Sequence, residues 1–197
     1  MNPKNIIFDL GGVVFSRDHS KCNPEFLKFF SFVAKNGTPP FWDEYDRGAL
    51  SYDEVKVEVC RFRNCDADTC EAMLREAICT QQEVASTKEL ITDLKRAGYN
   101  LYVLSNMSLE FIEFLRRLPV YELFDGEVVS CEVKTIKPEP EIYLHLISKY
   151  NLDPSQSLFI DDRPVNLEGA SVFGFDTCLF DNRNPEKTCA ELRARLL

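Results

Sequence analysis

The rhythm of hydrophobic positions changes twice along this chain. Lys4-Asn5-Ile6-Ile7-Phe8-Asp9 is a short apolar run closed by an aspartate, the pattern of a buried strand. From about residue 22 to 80 the apolar residues recur at helical spacing instead. Asn23-Pro24 is a helix start with proline at the first helical position, and Phe26, Leu27, Phe30 and Val33 follow it. Ser51-Tyr52-Asp53-Glu54 is a capping box, in which the serine hydroxyl and the glutamate satisfy free N–H groups. Another helix is expected after Asp66, with Met73, Leu74 and Ile78 on one face. After residue 85 helices and strands alternate. The pattern predicts a helix over 89–97 stopped by Gly98, a strand over 101–104, a helix capped by Ser108 and a short strand at 128–129. It then predicts a helix over 138–150, a strand over 158–160, a helix over 164–173 closed by Gly174, a strand over 177–180 and a last helix from Asn184-Pro185.

Strands alternating with helices imply an α/β fold, a doubly wound parallel sheet with right-handed crossovers. The helical stretch interrupts that series after the first strand. It reads as an inserted helical cap over residues 16–80, with residues 1–15 and 81–197 forming the core. The 197 residues, 45% hydrophobic and 28% charged, suffice for one such core carrying a smaller insert.

The net charge of −9 makes nucleic acid or an anionic membrane a poor partner, since both need clustered Lys and Arg. No run approaches the roughly 20 apolar residues that span a bilayer, and the apolar run after Met1-Asn2-Pro3-Lys4 is too short for a signal-peptide core. A cytoplasmic protein is expected. The oligomeric state is left open, a monomer being sufficient. Eight cysteines are present, without a secretion signal that would favour disulfides. Cys60, Cys65 and Cys70 are evenly spaced, but no C-x-x-C pair occurs, so scattered buried thiols are expected in preference to a zinc site.

In open α/β sheets ligands sit outside the carboxyl ends of the strands. That rule gathers Asp9, Ser105-Asn106 and Asp161-Asp162 at one edge, with Lys137 at the start of the helix after the third strand. Three carboxylates so placed repel one another and require a neutralising charge. An all-oxygen cluster suits Mg²⁺ better than zinc, and Lys137 adds a second positive charge.

These residues carry a resemblance. Phe8-Asp9-Leu10-Gly11-Gly12-Val13-Val14 resembles the first motif of the haloacid dehalogenase superfamily, and Leu104-Ser105-Asn106 the second. Lys137-Pro138-Glu139-Pro140 with Ile142-Tyr143 resembles the third motif. Phe159-Ile160-Asp161-Asp162, followed by Asn166-Leu167 and Gly169-Ala170, resembles the fourth. The four occur in order and extend over essentially the whole core, which would then be Rossmann-like with a type 1 helical cap. The resemblance implies a magnesium-dependent phosphatase acting on a small phosphorylated metabolite, with a sugar phosphate as one candidate. Asp9 would attack phosphorus and form an aspartyl-phosphate, ionised at an ordinary carboxyl pKa of about 3.9. Mg²⁺ would be held by Asp9, the Gly11 carbonyl, Asp162 and, directly or through water, Asp161. Ser105 and the Asn106 N–H would bind phosphate oxygens, and Lys137 would offset charge on the nucleophile and the phosphoryl group. Lys134 is a rival for that role, and Asn166 is a candidate brace for the fourth-motif loop.

One position departs from the pattern. Phosphatases of the superfamily carry a second aspartate two residues after the nucleophile, and here Gly11 stands in its place. General acid–base help is worth about 10²–10⁴ in rate, so another group must supply it or the leaving group must need less. Asp18, His19 and Asp46 are the candidates for the first explanation. For the second, Asp-Leu-Gly resembles the glucose-1-phosphatase subgroup, whose anomeric leaving oxygen departs more readily. A third reading is phosphonate cleavage, which would require a Schiff-base lysine such as Lys56; a fourth is a phospho-ligand-binding protein without turnover. Within Phe41–Gly48, Arg47 is expected to clamp a phosphate or hydroxyls, and Trp42 or Tyr45 to stack on a sugar face, against the plainer reading of core aromatics beside a surface arginine.

Overall fold

The structure is a computed structural model that describes residues 3–18, 20–33 and 38–197. Five parallel strands form the central sheet: β1 (Asn5–Phe8), β4 (Asn100–Ser105), β5 (Gly126–Val129), β6 (Ser157–Asp161) and β7 (Asp176–Leu179), in the order β5-β4-β1-β6-β7. Period-two alternation with both faces apolar makes each inner strand a two-sided wall. Ile6 and Phe8, Leu101 and Val103, Leu158 and Ile160 point to one side and pack on Leu90, Ile91 and Leu94 of α5 (Ala85–Arg96) and Leu192 of α10 (Pro185–Leu196). Ile7, Tyr102, Leu104 and Phe159 point to the other and meet Ile142, Tyr143 and Leu146 of α8 (Pro140–Tyr150) with Leu167 and Ala170 of α9 (Pro164–Ser171). Ile6, Ile7 and Phe8 are fully buried, worth roughly 1.5–3 kcal/mol each in transfer from water.

Between the first and second strands of the sheet the chain leaves and returns through a short antiparallel ribbon. Here β2 (Phe15–Ser16) pairs with β3 (Gln82–Glu83), with Phe15 opposite Glu83 and Ser16 opposite Gln82. The sequence pattern did not predict this ribbon, because two-residue strands leave no periodicity to read. The excursion contains α1 (Pro24–Phe29), α2 (Pro40–Asp46), α3 (Tyr52–Arg63) and α4 (Ala67–Cys79). These helices have their own apolar cluster, including Phe26, Trp42, Tyr45, Val55, Val59 and Leu74, which Phe111 of α6 (Leu109–Leu115) joins from the sheet side. Local chemistry explains their ends. Asn23 caps α1, Ser51 and Glu54 form the reciprocal capping box of α3, and Asp66 accepts from Thr69 N–H at the start of α4.

Two departures from the predicted elements have clear causes. The helix expected from residue 138 begins at Pro140, since Lys137 and Glu139 each precede a proline and are pushed out of the helical region. The helix expected from residue 89 begins at Ala85, because fully buried Thr87 extends the Leu90, Ile91, Leu94 face by a turn. A further finding corrects the expectation of scattered thiols: the Cys60, Cys65 and Cys70 sulfurs lie within 4.8 Å of one another where α3 turns into α4. No helix among the described residues is long and apolar enough to cross a membrane.

Candidate active site

Asp9 follows β1, the middle strand, so it is flanked by the carboxyl ends of β4 and β6, which pair Val103 and Ile160 with Phe8. The Leu10–Phe15 turn folds back at once: the N–H groups of Val13, Val14 and Phe15 donate to the Leu10 carbonyl. Gly12 sits there at φ +77°, and a Cβ on it would come within 2.6 Å of Asp162 Oδ2. Only glycine lets this turn approach the fourth-motif carboxylate so closely. At Gly11 the situation is reversed, for an added Cβ would meet nothing within 4 Å.

Lys137 is the electrostatic centre. Its Nζ lies 2.9 Å from Asp9 Oδ1 and 2.6 Å from Asp161 Oδ2, and donates to the Leu104 carbonyl at 2.9 Å. All three ammonium donors are thus used. Burial opposes the charge, but Asp161 and Asp9 outweigh it and hold the ammonium above its ordinary pKa. Lys137 owes its position to Asn106, whose side chain accepts from Lys137 N–H at 2.7 Å and donates to the Lys137 carbonyl at 2.9 Å. The Asn106 side chain therefore grips the protein, leaving its backbone N–H for any ligand. The rival Lys134 points elsewhere, donating to the Gly48 carbonyl.

Asp161 is fully buried and held by Asn166 Nδ2, at 3.1 and 3.0 Å from its two oxygens, and by Arg163 N–H at 2.8 Å. Asn166 is therefore a brace. Asp162 accepts from Asn182 Nδ2 at 2.8 Å. Asn182 escaped the sequence reading, although it lies just past the end of β7, where the strand-end rule would have pointed. One oxygen each of Asp9, Asp161 and Asp162 lies within 4.8 Å of the others. The charge on this cluster is under-compensated. Burial pushes the Asp9 carboxyl up to about 7, and although Lys137 pulls it down, Asp161 and Asp162 push it further up. The ordinary carboxyl behaviour expected for Asp9 thus does not hold without a further cation. Burial and Asp161 raise Asp162 as well. A compact, all-oxygen donor set short of positive charge fits a hard divalent cation such as Mg²⁺. Ser105 is fully buried at the end of β4, and its hydroxyl has no partner.

The cavity beside this cluster is lined by Asp9, Gly11, Asn106, Lys137, Asp162 and Arg163, and also by Asp46 from the end of α2. The segment bearing Asp46 is clasped to the sheet side. Ser130, in the short helix α7 (Ser130–Val133), donates through its hydroxyl to the Asp46 carbonyl, and Lys134 takes the carbonyl of Gly48. Arg47 makes a two-pronged bond to Glu139, at 2.6 and 2.7 Å. This corrects the expectation for Arg47: its guanidinium is spent on Glu139 and Glu44 and does not line the cavity. Tyr45 is likewise unavailable, being 1% exposed with its hydroxyl on Glu110. Trp42 does reach the cavity, edge-on to Phe30, Phe32, Tyr45 and Phe111. Of the other acid–base candidates, Asp18 is turned to Ser20 and Lys21, whose hydrogen bonds lower its pKa to about 2, and it does not line the cavity. His19 lies outside the described residues. Lys56 is paired with Asp53 and Glu71 and does not line the cavity.

Known proteins resemble this chain over most of its length. A sesquiterpene phosphatase of Aspergillus oryzae is 26% identical over 96% of this chain and 95% of its own length. A D-ribitol-5-phosphate phosphatase of Bacteroides thetaiotaomicron is 29% identical over 88% of this chain and 90% of its own. The crystal structure of a HAD family enzyme from Bacteroides thetaiotaomicron, in complex with magnesium and inorganic phosphate, superposes with a TM-score of 0.72, covering 92% of this chain and 96% of that one at 24% identity. The model of the haloacid dehalogenase-like hydrolases matches residues 3–174, and the chain belongs to that family of hydrolases.

Proposed function

We propose that the protein is a magnesium-dependent phosphatase that cleaves a small phosphomonoester through an aspartyl-phosphate on Asp9. The observation that carries this reading is the cluster of Asp9, Asp161 and Asp162, two of which, Asp9 and Asp161, contact the buried ammonium of Lys137. Asp9, the Gly11 carbonyl, Asp162 and Asp161 would hold Mg²⁺, which when bound would offset the repulsion between carboxylate and phosphate. Lys137 keeps Asp9 oriented and balances charge as it moves from the ester to the enzyme. The unpartnered Ser105 hydroxyl and the Asn106 N–H are the donors left for phosphate oxygens. Residues 16–80 would act as the cap that excludes water and selects the organic group.

The proton that Gly11 cannot supply is assigned to Asp46. It lines the same cavity as Asp9, and burial, then the charge of Asp43, holds its carboxyl well above the ordinary range against the Ser108 N–H and Arg163. That upward shift favours the protonated form, the form a general acid needs. As Asp9 forms its bond to phosphorus, the Asp46 proton passes to the departing ester oxygen. The resulting Asp46 carboxylate then takes a proton from the water that attacks the aspartyl-phosphate, which restores both side chains. The phosphonate reading gains no support, since Lys56 is committed to two carboxylates.

The test is phosphate release from p-nitrophenyl phosphate and a panel of small phosphomonoesters, with Mg²⁺ or with EDTA. Release should require Mg²⁺ and vanish in Asp9→Asn. A wild-type protein that releases phosphate from no ester would overturn the reading in favour of ligand binding without turnover.

A further inference from the structure

Away from the carboxylates the cavity changes character. Its volume is about 640 Å³, and its walls include Phe15, Phe26, Phe30, Trp42, Met107 and Phe111, with the 37% exposed Leu27. These come from both sides, Phe15 and Phe111 from around the sheet, and Phe26, Phe30 and Trp42 from the helical excursion. Among the described residues, the polar side chains in this part of the wall, Gln81 apart, already have partners. Arg17 donates to Thr80 Oγ1 at 3.1 Å and to the Ala77 carbonyl, and stands over the Phe26 ring. Ser31 accepts from Arg63 at 3.3 Å, and Thr38 bonds Asp43. Among the described residues, Gln81 is the remaining polar side chain there.

A polyol seated in such a chamber would bury hydroxyls without partners, each lowering affinity by roughly five- to 150-fold. An apolar group gains instead, by about fourfold for each buried methylene, the equivalent of ~0.8 kcal/mol. We propose that the chamber seats the organic part of the substrate, and that the substrate is the monophosphate of a bulky apolar alcohol. This rests on the phosphatase reading above and narrows it.

The experiment is a chain-length series, ethyl to octyl monophosphate with Mg²⁺, beside glucose 6-phosphate and ribitol 5-phosphate. Values of kcat/KM should climb by up to about fourfold per methylene, at least a hundredfold in all, and octyl phosphate should surpass both polyol phosphates. A flat series, or a polyol phosphate turned over better than every alkyl ester, overturns the proposal. Leu27→Asn, at a partly exposed position whose loss hollows no core, and Phe30→Ser should each reduce the slope. An unchanged slope in both would place the chain elsewhere and also overturn it. Calorimetric binding of the matching alkyl phosphonates to wild type and to Asp9→Asn separates the two readings. Affinity rising with chain length supports the chamber whether or not esters turn over, whereas affinity independent of length removes it even if phosphatase activity stands.

Discussion

Single residues set the chemistry, and neighbouring glycines make the point in opposite ways. Gly12 is required by its left-handed φ and by the 2.6 Å that would separate a Cβ from Asp162 Oδ2. Gly12→Ala is expected to cost roughly 1–3 kcal/mol and to weaken Mg²⁺ binding, read by thermal unfolding with and without the ion. Gly11 has open space around it and no left-handed φ, so an aspartate there can be accommodated. Asp46→Asn should lower turnover of an alkyl phosphate by about 10²–10⁴, and Gly11→Asp should fold normally and recover much of that loss when added to it. If the double variant is no faster than Asp46→Asn, the proton is not the missing element. Asp9, Lys137, Ser105 and the Asp161-Asp162 pair could all be named from the sequence, because each stands at a strand end or shortly before a helix at the same sheet edge. Asn182 and the bracing role of the Asn106 side chain could not, since each depends on a partner distant in sequence, Asp162 for one and the Lys137 backbone for the other.

At the level of elements, the end of α2 matters most. Bonds to the sheet side hold it, among them Ser130 to the Asp46 carbonyl, the two-pronged Arg47–Glu139 pair and Lys134 to the Gly48 carbonyl. Gly48, at φ +71°, lies so close that a Cβ would sit 2.6 Å from the Cys131 carbonyl. This clasp holds Asp46 on the cavity that Asp9 also lines, and it carries a pH signature. The hydrogen bond from Arg47, then those from Thr135 and Ile136 N–H, hold Glu139 at about 2 against an ordinary 4.5. A depressed carboxyl stabilises the folded state above its unfolded pKa, and that contribution is lost as pH falls through the folded one. Stability should therefore fall between about pH 4.5 and 2, and the slope should be shallower in Arg47→Ala, as thermal midpoints across that range would show. The effect is modest, because Glu139 is 38% exposed in its side chain and solvent screens the pair. From sequence Arg47 suited a ligand clamp equally well. A guanidinium binds a carboxylate and a phosphate with the same fork, and only the position of Glu139 decides between them.

For the whole molecule, order along the chain determined a great deal. Unbroken apolar strands with aspartate or serine at their ends require a sheet buried on both faces with its polar groups at one edge, and helical spacing over residues 22–80 requires a separate packed layer. Those periodicities are local, so the α/β class, the strand ends and the carboxylates placed at them follow from the sequence alone. What lies between the two layers does not. The ribbon of β2 and β3, the convergence of Cys60, Cys65 and Cys70, the pairing of Arg47 with Glu139 and the apolar chamber all join residues far apart in the chain or in different elements. The same aromatic residues that the pattern assigns to a helical core also face the cavity, because a residue at the boundary of two layers has the spacing of a core position and the surroundings of a binding wall. Sequence determined which groups could act on a phosphate. Tertiary structure alone brought Asp46 to the cavity that Asp9 lines and gave that cavity its aromatic walls, since both depend on how the two layers meet.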